Sequence, residues 1–450
     1  MSRVRTQTSL GHAMGWFVAS YVGAILGYLG LNAIAGRWLG PADFGYFVTA
    51  LTVTGLLGQL GLMGVHRSGL RETARLQEGS SPEALVTLRN GVRAINLTTL
   101  PLAGLLTAAG TWFIAGDSPT TTRLALSAGM GFLVVLTGQQ KLWANYLRGF
   151  GSVRLAGLLE GRSGGAIVAG LQAALALGAW LLFPDWGLAG ALGAVAVGYA
   201  FPVLFARQVV GRQWRGVTGP RPRLFRDLRG VVHRDWRFLS VQVATYLNIS
   251  IEVWVAAILL SSVDTSMFTA GLRLAQLLML PMTAIQVVFS PSIARMTMRL
   301  EERDGVEQLL RTGATLATAL TLVIWLPMLI VPELVLGVVY GRGFDAAAPV
   351  LILLTLGFIV NVLMGLAGTA LSMSGREGLG AQVQWAGVLL RIVVAIPAAL
   401  YGGVIALAAT AAAVSALIFV MMWIRTRRAL GVSTHVTLRP DLGLLRRTPG

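Results

Sequence analysis

The stretch YLNISIEVWVAAILLSSVDTSMFTAGLR (246–273) decides how the chain folds. Two apolar runs of helical length flank the polar break SSVDTS, which predicts a helical hairpin with its tip near Val263. Glu252 and Arg273 lie about ten residues before and after that tip, so at ~1.5 Å per residue both charges are expected roughly 15 Å below it, near the middle of a bilayer. A charge at that depth costs about 2.5–3.5 kcal/mol. A chain that accepts this cost twice at one depth is expected to direct both groups to a partner or to a water-filled cavity.

The composition of the whole chain indicates a polytopic α-helical membrane protein. Of its 450 residues, 55% are hydrophobic and only 12% are charged, whereas soluble proteins carry about 25% charged residues. The mean hydropathy is +0.70. The chain contains no cysteine, which excludes disulfides, thiolate nucleophiles and cysteine-based metal sites. Its four histidines show no metal-ligand spacing, and no cofactor is predicted.

The apolar runs predict an all-α fold of twelve transmembrane helices in two six-helix lobes around a central cavity. The first six spans are expected at 13–36, 44–65, 92–115, 124–147, 163–183 and 187–206. The other six are expected at 238–260, 267–290, 313–340, 347–372, 381–401 and 404–424, with a proline kink in the span 313–340. The predicted domains are an N-lobe (1–206), a basic linker (207–237), a C-lobe (238–424) and a basic tail (425–450).

The distribution of arginine predicts the topology. The formal net charge is +17, and most basic residues flank the spans on one side of the membrane. This asymmetry predicts that both termini are cytoplasmic, and it suits the anionic headgroups of membrane lipids rather than nucleic acid. Apolar residues recur at helical spacing in the linker, which predicts an amphipathic helix on the cytoplasmic surface. The alternative is a basic linker without regular structure.

The two halves of the chain resemble each other. Asp43 and Asp264 follow the first span of their halves at the same place, and Phe47 matches Phe268. The stretch RGFGSVRLAGLL (148–159) is similar to SGREGLGAQVQW (374–385) at nearly the same offset. These matches predict two parallel six-helix repeats facing each other.

Four ordered motifs resemble a known family: RWLGPADFGYFVTALTV (37–53), YLRGFGSVRLAGLL (146–159), AGLRLAQLLMLPMTAIQVVFSPSIARM (270–296) and YGRGFDAAAPVLILLTLGF (340–358). They are similar to polysaccharide-biosynthesis flippases of the multidrug/oligosaccharidyl-lipid/polysaccharide (MOP) exporter superfamily. The resemblance implies two six-helix lobes that translocate undecaprenyl-linked oligosaccharide across the bacterial inner membrane. It also implies a cationic cavity for the glycan. A polysaccharide polymerase is a possible partner.

Four charged residues inside the predicted spans are candidates for binding substrate. Arg273 corresponds to the basic residue of the family's LRLA motif, and its guanidinium could bind a pyrophosphate through two oxygens. The alternative is a structural ion pair with Glu252. Arg391 lies in the middle of its span, where it either faces the cavity or forms a salt bridge to another helix. Lys141, the only lysine, is near enough to the cytoplasmic end of its span to extend to the surface.

Three classes of function compete for this sequence. A lipid-linked glycan flippase working by alternating access leads, because cations outnumber carboxylates inside the spans. A cation-coupled multidrug exporter of the same superfamily would be expected to carry more membrane carboxylates. A membrane glycan polymerase or ligase would need an extended outer loop with acid and base groups, and the outer loops are short. The chain has no GxxxxGK[ST] loop, which excludes ATP hydrolysis of that type.

Overall fold

The computed structural model of the protein describes residues 10–76, 82–116, 119–159, 165–214, 223–286 and 303–438. Every regular element in these ranges is a helix, so the predicted all-α fold class is confirmed. Among them, nine helical segments are long and apolar enough to cross a membrane, and the apolar helix Ala166–Leu182 is shorter. The count of twelve spans stays a prediction. The linker residues 215–222 and the tail residues 439–450 lie outside the described ranges.

The chain forms two compact units. Unit 1 comprises Met1–Leu39 and Phe47–Tyr246, and unit 2 comprises Gly40–Tyr46 and Leu247–Gly450. The described linker residues, which the sequence places between two lobes, therefore belong to unit 1. A short segment from the first hairpin, Gly40–Tyr46, belongs to unit 2.

Unit 1 is built around a buried tyrosine. Tyr146 is fully buried, and its ring centroid lies 5.7 Å from that of Trp214 and 6.4 Å from that of Phe150. Gly69 passes directly over the Tyr146 ring, where a Cβ atom would collide with it. The helices of this unit are α1 (Leu10–Gly61), α2 (Val65–Leu76), α3 (Pro82–Leu97), α4 (Thr99–Ile114), α5 (Thr120–Gly149), α6 (Val153–Leu159), α7 (Ala166–Leu182), α8 (Gly187–Gln213) and the first part of α9 (Leu224–Leu259).

Unit 2 contains a second aromatic cluster. Phe44, from the segment Gly40–Tyr46, is fully buried with its ring centroid 5.2 Å from Tyr340 and 5.6 Å from Phe344. Burial of this large side chain explains why the segment belongs to unit 2. The remaining helices are α10 (Ser262–Ala275), α11 (Arg303–Ile330), α12 (Pro332–Tyr340), α13 (Ala348–Met364), α14 (Ala367–Met373) and α15 (Glu377–Leu430), and the span that begins with α10 continues to Gln286.

Two glycines interrupt the longest helices. Gly40 in α1 has φ 66° and Gly403 in α15 has φ 62°, a left-handed region that glycine enters without steric penalty. The two breaks fall between the predicted spans 13–36 and 44–65 and between 381–401 and 404–424. The predicted kink in the span 313–340 is a full break at Val331, between α11 and α12. Pro332 starts α12, the position where its missing N–H is tolerated.

The last part of the predicted linker, residues 224–237, and the seventh predicted span form one continuous helix, α9. The sequence sets a boundary near residue 237, but between Leu224 and Leu259 the only residue of poor helix propensity is Gly230, which a long helix tolerates. Val231 and Asp235, one helical turn apart on one face, are both buried in unit 1. From Val231 onward α9 therefore packs inside unit 1, whereas Phe225 in its first turn is 85% exposed.

A C-terminal strap, residues 431–437, packs against unit 2. The backbone N–H of Val436 donates to the Leu363 carbonyl at 3.1 Å, and the hydroxyl of Thr434 donates to the Met364 carbonyl at 2.7 Å. These carbonyls lie in the last turn of α13, where no helical N–H follows to satisfy them. The strap therefore caps the end of α13.

His435 in the strap lies in a basic environment outside the spans. Its ring packs edge-to-face on Trp423 with a centroid distance of 5.5 Å. Burial lowers the pKa of His435 below its ordinary value, and the positive charges of Arg311 and Arg427 lower it further against the opposing effect of Glu307. The neutral imidazole is thus the form that fits the docked strap.

Candidate functional site

A buried ion pair occupies the middle of unit 2. A guanidinium nitrogen of Arg391 on α15 donates to the carboxylate of Glu252 on α9. The Arg391 residue is 6% exposed and Glu252 is 4% exposed, so both charges are removed from solvent. Desolvation of this kind is tolerated only where the opposite charge and further hydrogen bonds replace water.

The other two nitrogen atoms of the Arg391 guanidinium also donate hydrogen bonds. Its Nε atom donates to Asn248 Oδ1 at 3.1 Å, and its Nη2 atom donates to Ser415 Oγ at 2.7 Å. The Asn248 amide in turn donates to the side-chain and backbone oxygens of Gln384, each at 2.8 Å. Five side chains on two helices thus form one connected polar network inside unit 2.

The local sequence explains how this network assembles. Asn248 and Glu252 are four residues apart on α9, so both face the same side of that helix. Gly387 precedes Arg391 by one turn, and a Cβ there would come within 3.1 Å of Asn248 Oδ1. The same Cβ would collide with Ile418 Cδ1, so the glycine leaves room both for Ile418 and for Asn248.

Arg273 lies on α10, the second arm of the predicted hairpin. Its side chain is half-buried, and its Nη1 atom donates to Gln276 Oε1 at 3.2 Å, one helical turn further on. The sequence offered an ion pair between Arg273 and Glu252 as the alternative to substrate binding. The carboxylate of Glu252 instead accepts from Arg391. The role of Arg273 in binding substrate stays a prediction.

Lys141 lies on α5 in unit 1. Its Nζ atom is 5.6 Å from the centroid of the Tyr246 ring, within the range of a cation–π contact. The side chain is half-buried. Near it, the Gln139 amide donates to Asn96 Oδ1 at 2.8 Å. Lys141 therefore lies in a polar part of unit 1, and its contact with substrate stays a prediction.

A second buried carboxylate, Asp235, was not identified from the sequence. Asp235 is 0% exposed and accepts from Ser68 Oγ at 2.7 Å, while Arg234 donates to both of its carboxylate oxygens, at 2.8 and 2.9 Å. Gly64, with φ 84°, lies so close that a Cβ would come within 2.7 Å of the Asp235 carbonyl oxygen. The available signal was spacing, because Asp235 follows Val231 by four residues on the buried face of the linker helix.

The described side chains form no evident metal centre. Within the described ranges, no group of three or more His, Asp or Glu residues is arranged to hold a metal ion. The polar networks of the two units are built from ion pairs and hydrogen bonds among their own side chains.

Comparisons with known proteins agree with this architecture. No family model and no curated protein matches the chain. Solved structures do match at 15% identity. A multidrug resistance MATE family transporter of the MOP superfamily in an inward-facing conformation aligns over 94% of this chain and 96% of its own, with a TM-score of 0.62. An outward-facing structure of a transporter so described aligns over 93% and 96%, with a TM-score of 0.53.

A third solved structure is a MOP superfamily transporter from Pyrococcus furiosus. It also has 15% identity and aligns over 93% of this chain and 96% of its own, with a TM-score of 0.55. Identity this low shows the fold alone. This chain is a multi-pass membrane protein with the fold of the MATE transporters of the MOP superfamily.

Proposed function

We propose that this protein translocates a lipid-linked oligosaccharide, carried on undecaprenyl pyrophosphate, across a bacterial inner membrane by alternating access. The fold supports transport, because solved structures of it include an inward-facing and an outward-facing transporter. The motifs at 37–53, 146–159, 270–296 and 340–358 support the flippase branch. In this proposal the protein is a transporter and not an enzyme, and a polysaccharide polymerase that uses the glycan is its expected partner.

The observation that carries the proposal is the charge balance inside the described spans. Lys141, Arg273 and Arg391 lie in span interiors, and Glu252 is the carboxylate that lies there with them. Of the other carboxylates in these segments, one lies next to the break at Gly40 and four lie in the first turn of their segment, namely Asp43 and, in first turns, Asp185, Asp264, Glu307 and Asp345. A net positive interior favours an anionic substrate such as a pyrophosphate-linked glycan.

The second candidate is a cation-coupled multidrug exporter, which fits the fold equally well. Multidrug resistance transporters are among the structural neighbours. A coupling proton or sodium ion needs a carboxylate oxygen, and the Glu252 carboxylate in this chain accepts from Arg391. The Pyrococcus furiosus neighbour is described as having a binding pocket of reversed polarity that suggests a different function. In this chain the positive charge balance of the span interiors favours the glycan lipid.

The roles of the four candidate residues differ. Arg273 is the preferred phosphate ligand, because its half-buried guanidinium can donate two parallel hydrogen bonds. Lys141 is proposed as a second contact to the anion. Arg391 and Glu252 could contact substrate only after their own pair separates, so within this proposal they serve mainly to hold unit 2 together.

The experiment is reconstitution of the purified protein in proteoliposomes. An undecaprenyl-pyrophosphate oligosaccharide with a fluorophore on the glycan is placed in both leaflets, and the fraction bleached by membrane-impermeant dithionite is followed over time. Active protein raises this fraction above the roughly one half that is exposed in protein-free vesicles. Arg273→Ala should abolish the rise, whereas Arg342→Ala, which removes an exposed arginine in a loop, should retain it.

A parallel assay decides between the two candidates. Ethidium uptake is measured in the same vesicles under a proton or sodium gradient. Movement of the glycan lipid without ethidium supports the proposal. Gradient-dependent ethidium movement without the glycan lipid would replace it with the multidrug exporter.

A further inference from the structure

The arginine-rich end of α8 carries an open groove on its exposed side. The groove has a volume of about 520 Å³ and is lined by Leu204, Arg207, Gln208, Gly211 and Arg212. These positions follow helical spacing, so they share one face of α8. Across the described part of the chain, neither guanidinium makes an ion pair or a side-chain hydrogen bond. Two cations and an amide are thus directed at one space without a protein partner.

The opposite face of α8 is fixed in the core of unit 1. Val203, Ala206 and Val210 are 5% exposed or less and belong to the hydrophobic cluster that contains Tyr146. The helix that carries the groove is therefore held in place by the core. A ligand that binds there loses little free energy to ordering the protein.

Gly211 keeps the groove open. It lies between the two arginines, and a Cβ at this position would have no heavy atom within 4 Å. Nothing in the packing of unit 1 fills the space where a longer side chain would lie. The position can therefore be filled by mutation without disturbing the core.

The depth of the groove matches the headgroup layer of a membrane. A span of about 20 residues crosses the hydrocarbon core, and counting from Gly187 this brings Ala206 to its edge. Arg207 and Arg212 then lie in the polar layer, where lipid phosphates are. On the hydrocarbon side of them, Phe201 is 73% exposed and Leu204 is 55% exposed. Along α8, exposed apolar side chains are followed by basic ones. A phospholipid has the same order of groups, with its acyl chains followed by its phosphate.

We propose that this groove is a binding site for an anionic glycerophospholipid, with the phosphate between Arg207 and Arg212. Guanidinium groups donate paired hydrogen bonds to phosphate oxygens. The Gln208 amide lies beside them and suits a hydroxylated headgroup such as that of phosphatidylglycerol, because it can both donate and accept. This site goes beyond the transport proposal and does not depend on which substrate is moved.

The test is native mass spectrometry of the detergent-solubilised full-length protein titrated with phosphatidylglycerol. Arg207→Gln with Arg212→Gln should weaken the first binding event by about tenfold or more. The matched control is Arg226→Gln with Arg229→Gln, which removes the same charge from exposed positions of α9 and should leave binding within about twofold. Equal losses in both double variants would overturn the proposal, because general charge attraction would then explain the binding.

A second pair of variants tests the groove without changing charge. Gly211→Leu should weaken phosphatidylglycerol binding, whereas Gly193→Leu, an exposed glycine of the same helix with equally open surroundings, should not.

Undecaprenyl pyrophosphate is titrated as a competing probe. Binding of that lipid at the groove without binding of phosphatidylglycerol would overturn the assigned ligand. Full binding by Gly211→Leu would overturn the site. Glycan transport measured in the same variants keeps a failure of this site separate from a failure of the transport proposal.

Discussion

Breaking the ion pair between Glu252 and Arg391 should destabilise the protein more than any exposed charge substitution. Both residues are at least 94% buried, so little of either charged group is exposed to solvent. Removal of one partner from a buried pair costs about 3–5 kcal/mol, because the other charge stays buried without compensation. Glu252→Gln and Arg391→Met should each lose stability in that range. Arg342→Gln, at an exposed loop position, should change it by less than about 0.5 kcal/mol.

The double variant separates the pair from its environment. Glu252→Gln with Arg391→Met removes both charges and should cost no more than either single variant, which corresponds to a coupling energy of at least about 3 kcal/mol. Unfolding is followed in detergent by intrinsic tryptophan fluorescence during a denaturant titration. Single variants as stable as the parent protein, or a double variant whose loss is the sum of both singles, would show that the two charges do not compensate each other.

Three further predictions concern other parts of the structure. Asp235→Ala removes the carboxylate that Ser68 and Arg234 bind and should cost about 1–3 kcal/mol in the same denaturant titration, whereas Asp43→Ala, at an exposed position, should have little effect. Gly357→Val should reduce the yield of folded protein in size-exclusion chromatography, because even a Cβ there would lie 2.7 Å from Ala412 Cα. His435 has a lowered pKa, so the released strap binds a proton more readily than the docked strap. The strap is therefore fully stable above about pH 6.5 and should lose protection from hydrogen exchange as the pH falls from 7.5 to 5.5, an effect that His435→Gln should remove.

The sequence predicts a depth in the bilayer for the charges in unit 2, and it offers a salt bridge for Arg391 without naming the partner. Counting residues along a helix gives the height of Glu252 and Arg273 in a bilayer, because the rise per residue is constant. The pairing of a charge depends on which helix packs beside α9, and the local sequence pattern does not identify that helix. Arg391 is more than a hundred residues away in the chain, and its approach depends on a glycine one turn earlier. Asp235 is a second example. The helical spacing of α9 can be recognised in the sequence, but the burial of Asp235 depends on contacts with Ser68, which is distant in the chain.

Helix boundaries were predictable where a residue with a special backbone conformation marks them. Gly403 lies between two predicted spans, and Pro332 lies where the sequence predicts a kink within the span 313–340. The strap could not be predicted in this way, because residues 431–437 carry neither an apolar pattern nor a helix signal. Its position is set by carbonyls at the end of α13 that need donors, and those are known only once the two segments are adjacent.

The buried network limits how Arg391 could take part in transport. A pyrophosphate that took the guanidinium from Glu252 would leave the carboxylate buried without its cation, at a cost of about 3–5 kcal/mol, equivalent to a loss of roughly 200- to 5,000-fold in affinity. Two charge-assisted hydrogen bonds of about 1.5–3 kcal/mol each would little more than offset that cost. The Glu252 carboxylate accepts from Arg391, so contact between Arg273 and an anion does not require that pair to separate. Affinity for an anionic substrate is therefore expected to depend on Arg273 through direct contact, and on Arg391 through the shape of unit 2.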